Sequence, residues 1–119
     1  LPTLPRVDII YAYLGADATQ IEAAAKAGAR GLVLAGMGQG GGTREQNEAL
    51  RHAQEQGIIV VRSSRTGSGR ILPPPNEYLN RGSAITADNL NPQKARILLA
   101  LALTRTTDPK KIQHMFTIY

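Results

Sequence analysis

Cysteine is absent from the 119 residues. That removes disulfides, thiol nucleophiles and thiolate metal sites, and leaves oxidising and reducing compartments both open. Aromatic residues make up 4% of the chain and tryptophan is missing, so a ring platform on which bases stack has little to be built from. No apolar run approaches the ~20 residues that a membrane span needs. The two histidines, His52 and His114, sit on separate helical patterns, which leaves a zinc centre or a catalytic triad almost nothing to draw on. The opening Leu1-Pro2-Thr3-Leu4-Pro5 has no basic start and no apolar run behind it, unlike a secretory leader. Two prolines in five residues read as an extended lead-in over residues 1–6, following something longer.

Hydrophobic residues, by contrast, reach 42%, enough for one folded domain with a single core. The 14 basic against 9 acidic residues give a net charge of +5. The positive side chains are scattered: Arg62, Arg65 and Arg70 in one stretch, Lys94 and Arg96 in another, Lys110 and Lys111 in a third. An ordinary solvated basic surface accounts for them, and no nucleic-acid partner is expected.

The stretch around which the rest is organised runs from Gly31 to Gly57. An apolar run, Leu32-Val33-Leu34-Ala35, leads into Gly36-Met37-Gly38-Gln39-Gly40-Gly41-Gly42, five of whose seven residues are glycine. Such a loop bends sharply or lets something approach its backbone. Thr43 and Gln46 follow at the spacing of a capping box, which opens a helix. Strand, tight loop and helix start are the expectation.

On either side the pattern alternates. Val7 to Tyr13 is β-branched and aromatic, a first strand. Asp17, with Gln20 three residues on, is expected to cap a helix carrying Ile21, Ala24 and Ala25 inward, and Gly28 sits where that helix should end. Ala49, Leu50 and Ala53 form the inner stripe of the next helix, which Gly57 stops. Ile58 to Val61 is apolar throughout, as in a strand covered on both faces of a parallel sheet. After a polar, proline-broken excursion through Pro73-Pro74-Pro75, Ser83 to Ala87 reads as a short fourth strand. Asn91-Pro92 opens a helix to Thr104 with Ala95, Leu98, Leu99 and Ala102 inward, and Ile97, Leu101 and Leu103 widening its apolar surface. Asp108-Pro109 opens the last helix, with Ile112, Met115, Phe116 and Tyr119 in line. The fold class is therefore α/β, a three-layer doubly wound domain over residues 7–119, with a small mostly parallel sheet of about four strands and about four flanking helices. Ligands meet such sheets at the carboxyl ends of the strands.

Three chemical readings compete there. Gly36, Gly38 and Gly41 spell G-x-G-x-x-G, which supports a free-standing anion- or nucleotide-binding module using the Gly36–Gly42 loop. It stands at the second strand-to-helix turn, and the following strand ends in Arg62 with no acid to hold a ribose. Thr43 as a nucleophile lacks a neighbouring base, and capping explains it. Glu45, Glu48 and Glu55 fall on the solvent side of a helix, and His52 and His114 read as surface residues. Glu77 differs in lying within the excursion, away from any regular face. A purely structural oligomerisation domain is the third reading.

Several segments, in this order, resemble the C-terminal domain of bacterial type II L-asparaginases: LPRVDIIYAY, GARGLVLAGMGQGGG, GIIVVRSSRTGSG, and above all DNLNPQKARILLALALTRTTDPKKIQHMF with the terminal Tyr119. The resemblance implies hydrolysis of L-asparagine to aspartate and ammonia, often with some glutaminase activity, at a threonine nucleophile and with no metal or cofactor. It also implies that the nucleophiles lie in a larger N-terminal domain, in T-G-G-T and G-T-D-T motifs that do not occur here. No catalytic residue is then expected on this chain, and the isolated chain should be inactive. The smaller domain of this family completes the site of a neighbouring subunit in an intimate dimer, with a tetramer built as a dimer of dimers. Its Asn or Ser in the glycine loop falls here on Gly41, so Gln39 or the Gly41 backbone replaces that contact, or substrate preference differs. Its glutamate after R-S-S-R falls by gap-free spacing on Asn76, with Glu77 adjacent and favoured as the substrate-binding match. The resemblance places the parent protein in the periplasm, with the cytoplasm as the alternative and no membrane contact.

Overall fold

The computed structural model describes residues 4–13, 15–36, 43–64, 85–87 and 90–118. Its elements in chain order are β1 (Val7–Tyr11), α1 (Thr19–Lys26), β2 (Gly31–Gly36), α2 (Arg44–Glu55), β3 (Ile59–Ser64), β4 (Ile85–Thr86), α3 (Pro92–Leu103) and α4 (Pro109–Ile118). The four strands form one sheet in the order β1-β2-β3-β4, every pairing parallel. The register sets Val7 beside Gly31, Gly31 beside Ile59 and Val61 beside Ile85.

Side chains alternate across a strand, and here the alternation sorts them into two cores. Ile10, Leu32, Leu34 and Val60 point to the face covered by α1 and α2, where Ile21, Ala24, Leu50 and Ala53 meet them. Val7, Val33, Ile59, Val61 and Ile85 point the other way, against Ala95, Leu99 and Ala102 of α3 and Ile112 and Phe116 of α4. Crossovers of one hand that advance one way along a sheet deliver their helices to one face. That leaves the opposite face of a sheet ordered 1-2-3-4 for the two C-terminal helices, and the result is helix, sheet, helix in three layers.

Helix ends follow the local sequence closely. Thr43 and Gln46 form the expected capping box, and Asn91 caps α3 by accepting from the Lys94 N–H at 2.8 Å. Gly28 and Gly57 take φ of +94° and +93° just past α1 and α2, a conformation that costs other residues about 1–2 kcal/mol. There the Ala29 and Ile58 N–H groups reach back to the Ala24 and Ala53 carbonyls, both at 3.1 Å, closing each helix with a Schellman turn. The start of α1 departs from expectation by one residue. Ala18 is its N-cap, without a side-chain cap, while Asp17 sits outside the helix and accepts from the Thr19 N–H at 3.0 Å.

Strand lengths shift as well. β1 ends at Tyr11, two residues early, and β3 begins at Ile59 and continues through Arg62, Ser63 and Ser64. The polar extension of β3 is held by pairing with β2 as far as Gly36 and Ser64. Leu103 packs on the α3 core as a partly buried residue, whereas Ile97 and Leu101 are 52% and 50% exposed.

Candidate functional site

Because the strands are parallel, Tyr11, Gly36 and Ser64 end on one edge of the sheet, and the glycine loop leaves from it. Two side chains at the start of α2 hold this corner together. The Gln46 Oε1 accepts from the Thr43 N–H at 3.1 Å, and the Thr43 Oγ1 accepts from the Gln46 N–H at 3.2 Å. The same residues reach across to the turn after β1. Thr43 Oγ1 donates to the Ala16 carbonyl at 2.7 Å, and Gln46 Nε2 donates to the Tyr11 carbonyl at 3.1 Å. Gln46 is almost wholly buried, and every buried side-chain polar atom among the described residues has a partner.

Capping was expected of Gln46, but its bond to β1 was not. A signal for it exists in the sequence: Gln46, Leu50 and Ala53 lie at i, i+4 and i+7, so the amide stands in line with the apolar stripe. Buried polar groups require partners, and an inward amide points to one on the sheet.

Ser63 does comparable work on the opposite face. It is fully buried, and its Oγ donates to the Leu90 carbonyl at 2.9 Å, tying the extension of β3 to the segment that enters α3. Arg62 reaches α2 from the other side of the same strand, with Nη2 donating to the Asn47 Oδ1 at 3.3 Å. Burial pulls its guanidinium down from the ordinary value, yet arginine remains charged at any physiological pH. A cation is thus built into this edge, two residues before β3 ends.

The expected substrate contacts Gln39, Gly41, Asn76 and Glu77 all lie outside the described residues. The described parts of the edge are therefore the residues that flank them: Gly36 and Thr43 on either side of Gln39 and Gly41, and Ser64 ahead of Asn76 and Glu77, while Ile85, the next described residue, pairs with Val61 within β3. Among the described residues no group of three or more His, Cys, Asp or Glu converges as a metal site. His52 is exposed and stands 3.7 Å from Glu55. A shallow groove of about 690 Å³ runs along the seam of α1 and α2, over Ile21, Ala25 and Ala49 and between Glu22, Glu45 and Glu48. No strand residue lines it. No helix among the described residues is long and apolar enough to cross a membrane.

Comparison with known proteins agrees with this architecture. The family model described as glutaminase/asparaginase C-terminal domain matches residues 6–116. L-asparaginase 2 of Bacillus subtilis is 45% identical over all of this chain, which covers 31% of that protein. The probable periplasmic L-asparaginase of Haemophilus influenzae is 41% identical over 98% of this chain and 33% of its own length. A crystal structure of the probable cytoplasmic L-asparaginase of Campylobacter jejuni superposes with a TM-score of 0.91 at 42% identity, over 98% of this chain and 38% of that one. This chain thus spans about a third of the relatives it matches, and those relatives are named for either compartment. With 111 of its residues matched, from 6 to 116, the chain belongs to the glutaminase/asparaginase C-terminal domain family.

Proposed function

We propose that this domain supplies part of the substrate-binding wall of an L-asparaginase whose attacking threonine lies on another domain. The observation that carries the reading is the match over residues 6–116 to a family whose curated members are named asparaginases and are about three times as long. The N-terminal domain is its first partner, and a second copy in an intimate dimer is the next, with two such dimers forming a tetramer. L-Asparagine is the substrate. The threonine hydroxyl attacks the side-chain amide carbon and ammonia leaves. Water then releases aspartate.

In this reading Glu77 presents its carboxylate to the substrate α-ammonium across the subunit boundary, with Asn76 beside it. Charge-assisted hydrogen bonds of that kind are the stronger ones. Gln39 or the Gly41 backbone takes the contact that an Asn or Ser side chain makes elsewhere in the family. The exposed Ile97 and Leu101, one turn apart on α3, offer apolar surface to a neighbouring domain or subunit. The cap of α2 weighs against the alternative of a free-standing anion site, because the Gln46 N–H already has the Thr43 hydroxyl. We assign the parent enzyme to the periplasm; recovery in the cytosolic fraction alone would contradict that.

The test is a graft in which this chain replaces the C-terminal third of the Bacillus subtilis enzyme. Glu77→Gln in that graft should raise the KM for asparagine by about tenfold or more, the scale of a lost hydrogen bond to a charged group, with a smaller change in kcat. An unchanged KM would move the role to Asn76 or elsewhere.

A further inference from the structure

We propose that Gln46 is a positioning residue, whose side-chain amide holds the turn after β1 against the first turn of α2 and so sets the shape of the substrate-facing edge. The inference rests on the function proposed above. It stands on two hydrogen bonds that join stretches far apart in sequence, Gln46 to Tyr11 and Thr43 to Ala16, and on the two capping bonds that lock Thr43 and Gln46 to each other.

The capping box by itself does not require glutamine. Glutamate serves equally well at that position, since only an acceptor is needed for the N-cap N–H. At this site the side chain is about 1% exposed, and its second atom faces the Tyr11 carbonyl, an acceptor. A neutral amide sets an acceptor oxygen beside a donor nitrogen in a single plane, matching both demands. An ionised carboxylate would set two acceptors against each other in a dry place. Leucine would fill the volume but strand the Thr43 N–H and the Tyr11 carbonyl, at the cost of unsatisfied buried groups. The requirement for an amide therefore comes from the tie to β1, not from the helix cap.

Both ends of that tie lie on the carboxyl edge. Thr43 follows the glycine-rich stretch and caps α2, and Tyr11 ends the neighbouring strand. Losing the amide removes the bond to Tyr11 and leaves the Thr43 hydroxyl on the Ala16 carbonyl, so these two stretches are held less firmly to each other. Because the attacking group lies on another domain in this reading, the loss should appear in substrate binding more than in turnover.

The experiment uses the same graft carrying Gln46→Leu or Gln46→Glu, with ammonia release measured from about pH 5 to about pH 9, a range that spans the raised pKa of a buried carboxyl. Gln46→Leu should raise KM about tenfold, the scale of one buried bond lost with its partners stranded, while kcat changes less than about twofold. Gln46→Glu should match the parent at the acid end, where the protonated carboxyl donates to Tyr11 in place of the amide. Its KM relative to the parent should then climb as pH rises through that carboxyl's pKa. A purely structural role would lower the unfolding temperature of both variants while leaving the KM ratio flat with pH, and that result overturns the proposal. If the unsubstituted graft folds and releases no ammonia, the proposed function falls and takes this inference with it. Activity in the graft with a flat KM ratio removes the role of Gln46 alone.

Discussion

Asp17 shows how a single side chain can be read correctly in kind and one position off in place. Its carboxylate does accept a backbone N–H at the start of α1, but from outside the helix, in a turn that leaves Ala18 as the N-cap. The bond from the Thr19 N–H, followed by the Thr19 hydroxyl, holds the Asp17 carboxyl below its ordinary range. A native pKa lowered in this way contributes stability above the unfolded-state pKa, and that contribution is lost as pH falls through the native one. Asp17→Asn has no proton to gain, so the difference in unfolding temperature between parent and variant should shrink through that acid window. A difference independent of pH would mean that the carboxylate is idle. Gln46 was the harder residue to read. Its capping spacing was visible, but a partner 35 residues away was not, because a local motif does not reveal which strand end its far side meets.

At the scale of elements, the sequence patterns carried most of the fold, for identifiable reasons. Unbroken apolar runs in β2 and at the start of β3, the 3.6-residue stripes of α2 and α3, and glycine just past two helices are all local signals with one structural outcome. What they left open was the length of β3 and the packing distance of α3. Arg62, Ser63 and Ser64 look like loop residues, and only pairing with β2 keeps them in the sheet. The closeness of α3 to β2 depends on Gly31, where a Cβ would stand 2.7 Å from Leu99 Cδ2 and 3.2 Å from Leu103 Cδ1. Leu99 is fully buried and has nowhere to swing. Gly31→Ala should therefore cost about 1–3 kcal/mol by overpacking, read as a lower denaturant midpoint. An unchanged midpoint would mean that α3 can withdraw from the sheet freely.

Taken as a whole molecule, the chain separates what pattern can supply from what resemblance must. Alternating strands and helices locate the carboxyl edge, and the described structure shows how Thr43, Gln46, Arg62 and Ser63 brace it. Nothing in periodicity identifies a substrate there, and Thr43, the hydroxyl weighed as a nucleophile, serves as the cap of α2. The asparaginase reading came from a long specific run, residues 90 to 108 above all, whose match reflects shared ancestry and not a visible reaction centre. Gln39, Gly41, Asn76 and Glu77 lie outside the described residues, and the roles proposed for them come from that likeness.

The most direct measurement is ammonia release from asparagine by two preparations side by side: this chain alone, and the Bacillus subtilis enzyme with this chain grafted in place of its C-terminal third. A domain that shapes a pocket without owning the nucleophile gives no release alone and clear turnover in the graft. Turnover by the isolated chain, or a well-folded graft that stays silent, would contradict the account.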